Sequence, residues 1–370
     1  MKRISLAAAL VIAGFSGFAQ QYQFQSVKDI GCTPVVSQGA TGTCWSFSTT
    51  SFLEAEILRT TGKAIDLSEY YNVRNTYPKK AWNFIMRQGH AQFGEGGLNH
   101  DVINSARAFG IVPQSAYPGW TGEGIPNHGK MVEELEALAK ANADANKKPD
   151  PAWRAKVNEI LDRYMGKNPD QFTFEGKSYT PQSFLKMTGL KLDDYVEFTS
   201  FTDHPFYDTY ILDIPDNFAY GSYHNVPLDD LVKIVDDALD KGFTVAIDAD
   251  VSEKTFSGKK GMAVIPENDS DAAAILGEIK LEKKITQEYR QSEFENFDTT
   301  DDHLMHIVGK AKDQKGNIYY KVKNSWGTDG LANGGFVYMS VPYFRLKAVG
   351  IMVNKNALDA SVKSKSGIKS

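Results

Sequence analysis

Two cysteines occur in the 370 residues, and one of them, Cys44, stands in the stretch QGATGTCWSF between Gln38 and Phe47. A thiol is a strong nucleophile once ionised, and the positive end of a helix and a neighbouring imidazolium both favour the thiolate. Cys44 follows a Gly/Thr turn and opens a helical pattern, with Phe47, Phe52, Ala55 and Leu58 at helical spacing, Thr43 as N-cap and Gly62 as stop. The helix end is therefore supplied locally. The imidazole must come from one of seven histidines, at 90, 100, 128, 204, 224, 303 and 306. Cys32 reads as a small buried residue rather than a redox partner, and a Cys32–Cys44 bridge would close only a short loop while silencing the thiol.

The elements that must position these groups follow from periodicity. GGLNHDVINSARAFGIVP gives a Gly-rich turn and a helix ending at Gly110, so the first 120 residues form a helical lobe. Between 121 and 215 lie charged amphipathic helices separated by a turn around Lys147 to Pro151. Leu228, Leu231, Val232, Val235 and Leu239 mark a further helix, and Phe243 to Val251 a strand. HLMHIVGKA, NIYYKVKNSW and GGFVYMSV add three strands joined by polar loops. Helices first and antiparallel strands last make an α+β arrangement of two lobes, with a cleft between them as the natural place for a site.

Composition excludes several functions. A formal charge of −5, with no basic stripe interleaved with aromatics, argues against nucleic acid. MKRISLAAALVIAGFSGFAQ has the basic start, apolar run and small residues of a secretory signal, with cleavage expected after Ala19 and no stable membrane anchor. The protein is thus expected to be exported, periplasmic or extracellular. His303 and His306 lie an odd number of positions apart and point to opposite faces of one strand, so only one can serve Cys44. With Asp301 or Asp302 they make poor metal geometry; neither metal nor cofactor is expected.

Taken together, QGATGTCWSF, DDHLMHIVG and VKNSWG resemble the papain-like cysteine peptidases, in which an active-site Gln, Cys-Trp, a strand beginning Asp-His, and Asn-Ser-Trp-Gly occur in this order. The resemblance implies Cys44, His303 and Asn324 as catalytic residues, with Gln38 and the Cys44 N–H as oxyanion hole. It also implies Trp45 and Trp326 as supports, and Gly96, Gly97 and Asp302 as substrate-binding. Cys44 and His303 are 259 positions apart, about 110 more than the roughly 130–150 residues of papain-type enzymes. That surplus, Thr41 three positions before the thiol, and stretches such as EGGLNHDVINSARAFGIVP and NVPLDDLVKIVDDAL are similar to the bleomycin hydrolase and aminopeptidase C branch.

The implied organisation is a signal peptide over 1–19, a helical lobe over 20–120, and a mainly helical insertion over 121–215. A β-rich lobe over 216–355 and a tail over 356–370 complete it. The implied activity is peptide-bond hydrolysis through a thioester, as an aminopeptidase. In that branch the chain's own C-terminus meets the substrate amine and hexamers are common. Here the basic tail DASVKSKSGIKS reads instead as a disordered segment, although Ser370 would supply a carboxylate. The alternatives are an endopeptidase with an open cleft, an acyltransferase passing the thioester to an amine, and a silent peptide-binding homologue.

Overall fold

The computed structural model describes residues 21–144 and 146–369; the expected signal peptide and Ser370 lie outside the described residues. The first strand, β1 (Gln25–Asp29), already belongs to the sheet of the second lobe, where it pairs antiparallel with a strand nearly 280 residues later. Helix α1 (Cys44–Thr61) begins at the singled-out cysteine and ends at Gly62, whose φ of 73° is left-handed and suits only a residue without Cβ. Thr43 holds the cap position, but its hydroxyl bonds the Thr41 hydroxyl and leaves the helix backbone uncapped. Every residue from Cys44 to Ile57 is buried, because α2 (Glu69–Met86) and α3 (Asn99–Phe109) enclose the helix on one side and the sheet on the other.

α4 (Gly129–Asn142) and α5 (Trp153–Met165) pack on α2 and on each other. Met131, Leu135 and Ala139 on α4, and Trp153, Val157, Leu161 and Met165 on α5, are their buried i, i+4 stripes. A hairpin of β2 (Phe172–Phe174) and β3 (Lys177–Tyr179) then holds Phe184 of α6 (Pro181–Thr188) among its aromatic rings. The region 121–215 does not stay helical to its end. β4 (Tyr195–Thr199) and β5 (Thr209–Ile211) leave it for the main sheet.

The sheet is completed by β6 (Ser222–Asn225), β7 (Val245–Ala249), β8 (Phe256–Ser257), β9 (Met262–Ala263), β10 (His303–Lys312), β11 (Ile318–Lys323), β12 (Phe336–Ser340) and β13 (Ala348–Asn354). Its order is β5-β6-β4-β13-β7-β10-β11-β12-β9-β8, with β1 beside the far half of β10. Pairing is antiparallel except for β4 with β6 and β12 with β9. Alternation separates the two faces. Ala246, Leu304 and Met352 pack toward α1, whereas Val245, Ile247, Met305 and Ile307 pack toward α7 (Leu228–Asp240). The α7 stripe buries Leu228, Leu231, Ile234, Val235, Ala238 and Leu239, with the expected Val232 only half-buried at its margin. Short α8 (Ala272–Ile275), then α9 (Gln287–Glu295) and α10 (Val341–Lys347), flank the sheet.

The tail is ordered, contrary to the sequence expectation. α11 (Ala360–Lys365) is capped by the Asp359 carboxylate, which also pairs with Lys233 of α7 at 2.7 Å, and Val362 and Ile368 pack into the α7-side core. Apolar anchors and a cap outweigh the basic surface that made the segment look unfoldable. It therefore docks across the sheet from α1.

A buried polar chain locks the lobes together. Lys323, the last residue of β11, donates to Thr33 Oγ1 at 3.0 Å and Ser51 Oγ at 2.8 Å, and Ser51 in turn bonds His306 Nδ1 at 2.9 Å. Thr33 Oγ1 donates in turn to Glu54 Oε2 of α1 at 2.5 Å. Burial pushes the Glu54 carboxyl up to about 7, while the Lys323 ammonium pulls it back. Lys323→Met should cost on the order of 3 kcal/mol, since it strands a buried acid and two hydroxyls. Adding Glu54→Gln should return much of that loss in urea unfolding; equal stability of the single variant and wild type would show the lock to be idle. The folded carboxyl keeps its proton to about pH 7 and the unfolded one to about 4.5, so Glu54 withdraws stability as pH rises through that window. Glu54→Gln should flatten that part of the profile.

Candidate active site

Three short segments meet at the end of β10. His303, its first residue, places Nε2 at 2.8 Å from Asn324 Oδ1, just beyond β11. The antiparallel register that sets His306 opposite Lys323 brings these ends together. With Asn324 Oδ1 as acceptor, the proton sits on Nε2 and Nδ1 is left as the basic nitrogen. The backbone N–H of Leu304, the next residue, is directed at the Cys44 thiol, so sulfur and imidazole share one end of the strand. The Trp326 indole lies over the His303 ring, with centroids 4.9 Å apart, and shields the His–Asn bond from water.

Gln38 is fixed to the same segment. Its N–H donates to Ser325 O at 2.8 Å, and its Oε1 accepts from Ser325 Oγ at 2.6 Å. One amide hydrogen of Nε2 is used by Thr41 O at 2.6 Å, which leaves the second for a ligand. Thr41, at the position where papain-like enzymes commonly carry a disulfide cysteine, bonds Gln38 O instead and holds the turn without a bridge. Cys32 and Cys44 are both free thiols. Trp45 is wholly buried, donates to Glu95 O at 2.9 Å and lies under Gly97, where a Cβ would come within 3.1 Å of the indole. It sets the height of the 95–97 loop above α1. His306 is bound to Ser51 and kept neutral by burial and the Lys323 charge, which makes it a structural residue.

Two expected substrate contacts are corrected. A Cβ on Gly96 would fall 1.9 Å from Asp216 Oδ2, so the space above this glycine is taken by an aspartate of the chain itself. Asp302 is exposed and turned outward, accepting from Thr300 Oγ1 at 2.7 Å and Val251 N at 3.3 Å. The carboxyls whose charges act on Cys44 are Asp248, Asp216 and Asp301, none of which sequence reasoning selected. One signal was available: Asp248 interrupts the apolar strand VAIDA on the face that packs toward α1. Asp216 sits in a loop, where no periodicity could place it.

Comparison with known proteins agrees with this fold. Residues 90–368 match the model of the Peptidase C1-like family, and residues 19–146 that of the papain family cysteine proteases. The chain is 28% identical to aminopeptidase G of Lactobacillus delbrueckii subsp. lactis, over 88% of this chain and 81% of the relative. It is 23% identical to aminopeptidase C of Lactococcus lactis subsp. cremoris, over 84% and 78%. In structure it is similar to PepW of Lactobacillus rhamnosis HN001, with a TM-score of 0.73 at 19% identity, covering 92% of this chain and 84% of that one.

Burial governs the electrostatics of the resting site. It pushes the Cys44 thiol up to about 12, against the Leu304 N–H that favours the thiolate, and the three carboxylates add to the rise. Burial also drives His303 down to about 4, with the Asn324 bond opposing it. Both shifts favour the uncharged thiol–imidazole pair. Alkylation of Cys44 by iodoacetamide should therefore climb steadily with pH between about 7 and 10, because a raised thiol pKa delays the thiolate. A reactive plateau at pH 5–7 would instead reveal a standing thiolate–imidazolium pair.

Proposed function

This chain belongs to the Peptidase C1-like family and is a papain-like cysteine peptidase, and we propose that it is an aminopeptidase working through Cys44, His303 and Asn324. The observation carrying this reading is the His303–Asn324 bond at the strand end whose next N–H meets the Cys44 sulfur. Cys44 attacks the scissile carbonyl as His303 Nδ1 takes its proton. The oxyanion is met by the remaining Gln38 amide N–H and by the Cys44 N–H, which as the first of α1 has no intrahelical acceptor. His303 hands the proton to the departing amine. Water, deprotonated by the same nitrogen, then cleaves the thioester and restores the thiol. Asn324 keeps the ring in the tautomer both steps require.

Preference for an exopeptidase rests on two supports. Relatives over most of the chain are the aminopeptidases G, C and E of lactic acid bacteria. In addition, the segment 212–221 crosses the cleft. Asp216 lies against Gly96 in the first lobe, its N–H bonds Asp301 Oδ2 at 3.2 Å in the second, and Gly221 lies against the His100 ring. A peptide continuing past one or two residues on the acyl side would run into this strap. Export is proposed as well, on the charge and apolar pattern of residues 1–19 alone.

The purified protein should hydrolyse free aminoacyl amides far faster than their N-acetylated counterparts; equal rates would point to an endopeptidase. Cys44→Ala should abolish turnover. Gln38→Ala should lower kcat by roughly 10²–10³, the cost of one oxyanion donor, with KM little changed. A Gln38 variant with wild-type kcat would remove it from the oxyanion hole.

A further inference from the structure

We infer that Asp216, Asp248 and Asp301 form the receptor for the α-ammonium of the substrate, a specificity role taken by side chains of the cleft. The inference rests on the aminopeptidase reading and adds to it the group that reads the free amine. Asp216 reaches over Gly96 from the strap, and Asp301 meets it from the residue pair that precedes β10. Beneath them Asp248 is 1% exposed, and neither of its oxygens has a hydrogen-bond partner among the described residues. Asp301 Oδ1 is likewise unpartnered. Burial and the neighbouring Asp301 and Asp216 push the Asp248 carboxyl well above the usual carboxylate range, and three acids crowded together at the mouth of a reactive site point to a cation that would relieve them.

Among the described residues the nearby ammonium is Lys80, whose charge acts on Asp216 but whose Nζ donates to the carbonyls of Gly94 and Gly96 and holds up the loop. Residues 360–368 of the tail pack against α7, across the sheet from α1. An ammonium has three donors and meets carboxylate oxygens at about 2.8 Å, so three neighbouring acids match its valence.

Such a receptor suits a single residue on the acyl side. From standard bond lengths, the amine nitrogen of such a residue lies about 2.5 Å from the scissile carbon. A receptor for it must crowd the nucleophile. These three are also the carboxyls whose charge is felt at the Cys44 thiol, whereas Asp302, facing outward, is not among them. Longer free peptides bind with only their first residue inside the strap, and acetylation removes the charge being read.

The test compares leucyl-7-amido-4-methylcoumarin with its N-acetylated form, using wild type, Asp216→Asn and Asp301→Asn. Both residues are partly exposed and lie on separate segments, so failure of one variant to fold leaves the other to decide. Each variant should lose roughly thirty-fold or more in kcat/KM on the free amine, mostly through KM, while the acetylated rate does not fall. Iodoacetamide should still label Cys44 in both variants, and faster than in wild type. Should wild type prefer the free amine and both folded variants keep the same preference, or lose both rates in parallel, the receptor assignment is overturned while the aminopeptidase reading stands. A wild type indifferent to acetylation removes that reading first.

Discussion

The packing of α1 against β10 is the constraint from which the rest follows. The Cys44 thiol and the His303 imidazole come from segments 259 positions apart. They meet because a helix buried on all sides is pinned to the inward face of a sheet. The pins are hydrogen bonds as well as apolar contacts: Ser48 Oγ to Met305 O, Ser51 to His306, and Lys323 to Ser51. Apolar packing alone would tolerate a slide of the helix along the strand. Each of these bonds would be left unmade by such a slide, in a place where water cannot replace it. Register is thereby fixed at the residues flanking the reaction.

The same economy explains the short segments that complete the site. Asn324 and Gln38 need no scaffold of their own, because Asn324 directly continues β11 and bonds His303, and Gln38 is bonded twice to Ser325 beside it. Gln38, Asn324 and His303 form one hydrogen-bonded unit through Ser325, and Trp326 closes it from above. A shift in any member is transmitted to the others.

Much of this was legible in the sequence, and the exceptions share a cause. Helices α1, α3 and α7 and strands β10 to β12 announce themselves through periodicity and through Gly stops at 62, 110 and 242. The motifs around Cys44, His303 and Asn324 named residues that the fold brings to one strand end. Illegible were the contributions whose meaning depends on a distant partner. β1 is a short polar strand that exists only because β10 offers it an edge, and β13 carries no turn signal that separates it from α10. Gly96 looks like room left for a ligand until Asp216, 120 positions later, is seen to fill it. Asp302 was chosen because it adjoins the histidine. In an extended segment adjacent residues face opposite ways, and its neighbour Asp301 turns to the Asp216 N–H instead. The tail was misread because Val362 and Ile368 are too sparse to register as a hydrophobic pattern, though two buried anchors and a cap suffice to dock six residues.

The buried acids raise a question about how such a site ever ionises. Acids near a thiol oppose the charge it must take up whenever they are ionised, so Asp216, Asp248 and Asp301 work against catalysis unless a cation joins them. Selection for a more reactive thiol alone would remove them. Their presence makes sense if the opposition is lifted when the substrate binds. An α-ammonium seated among them offsets the field they exert on the sulfur, and the cost of moving the thiol proton to His303 falls at that moment. A peptide without a free amine leaves the field in place. Affinity and reactivity would then be controlled by one charge, so that discrimination against blocked peptides appears in the chemical step as well as in binding.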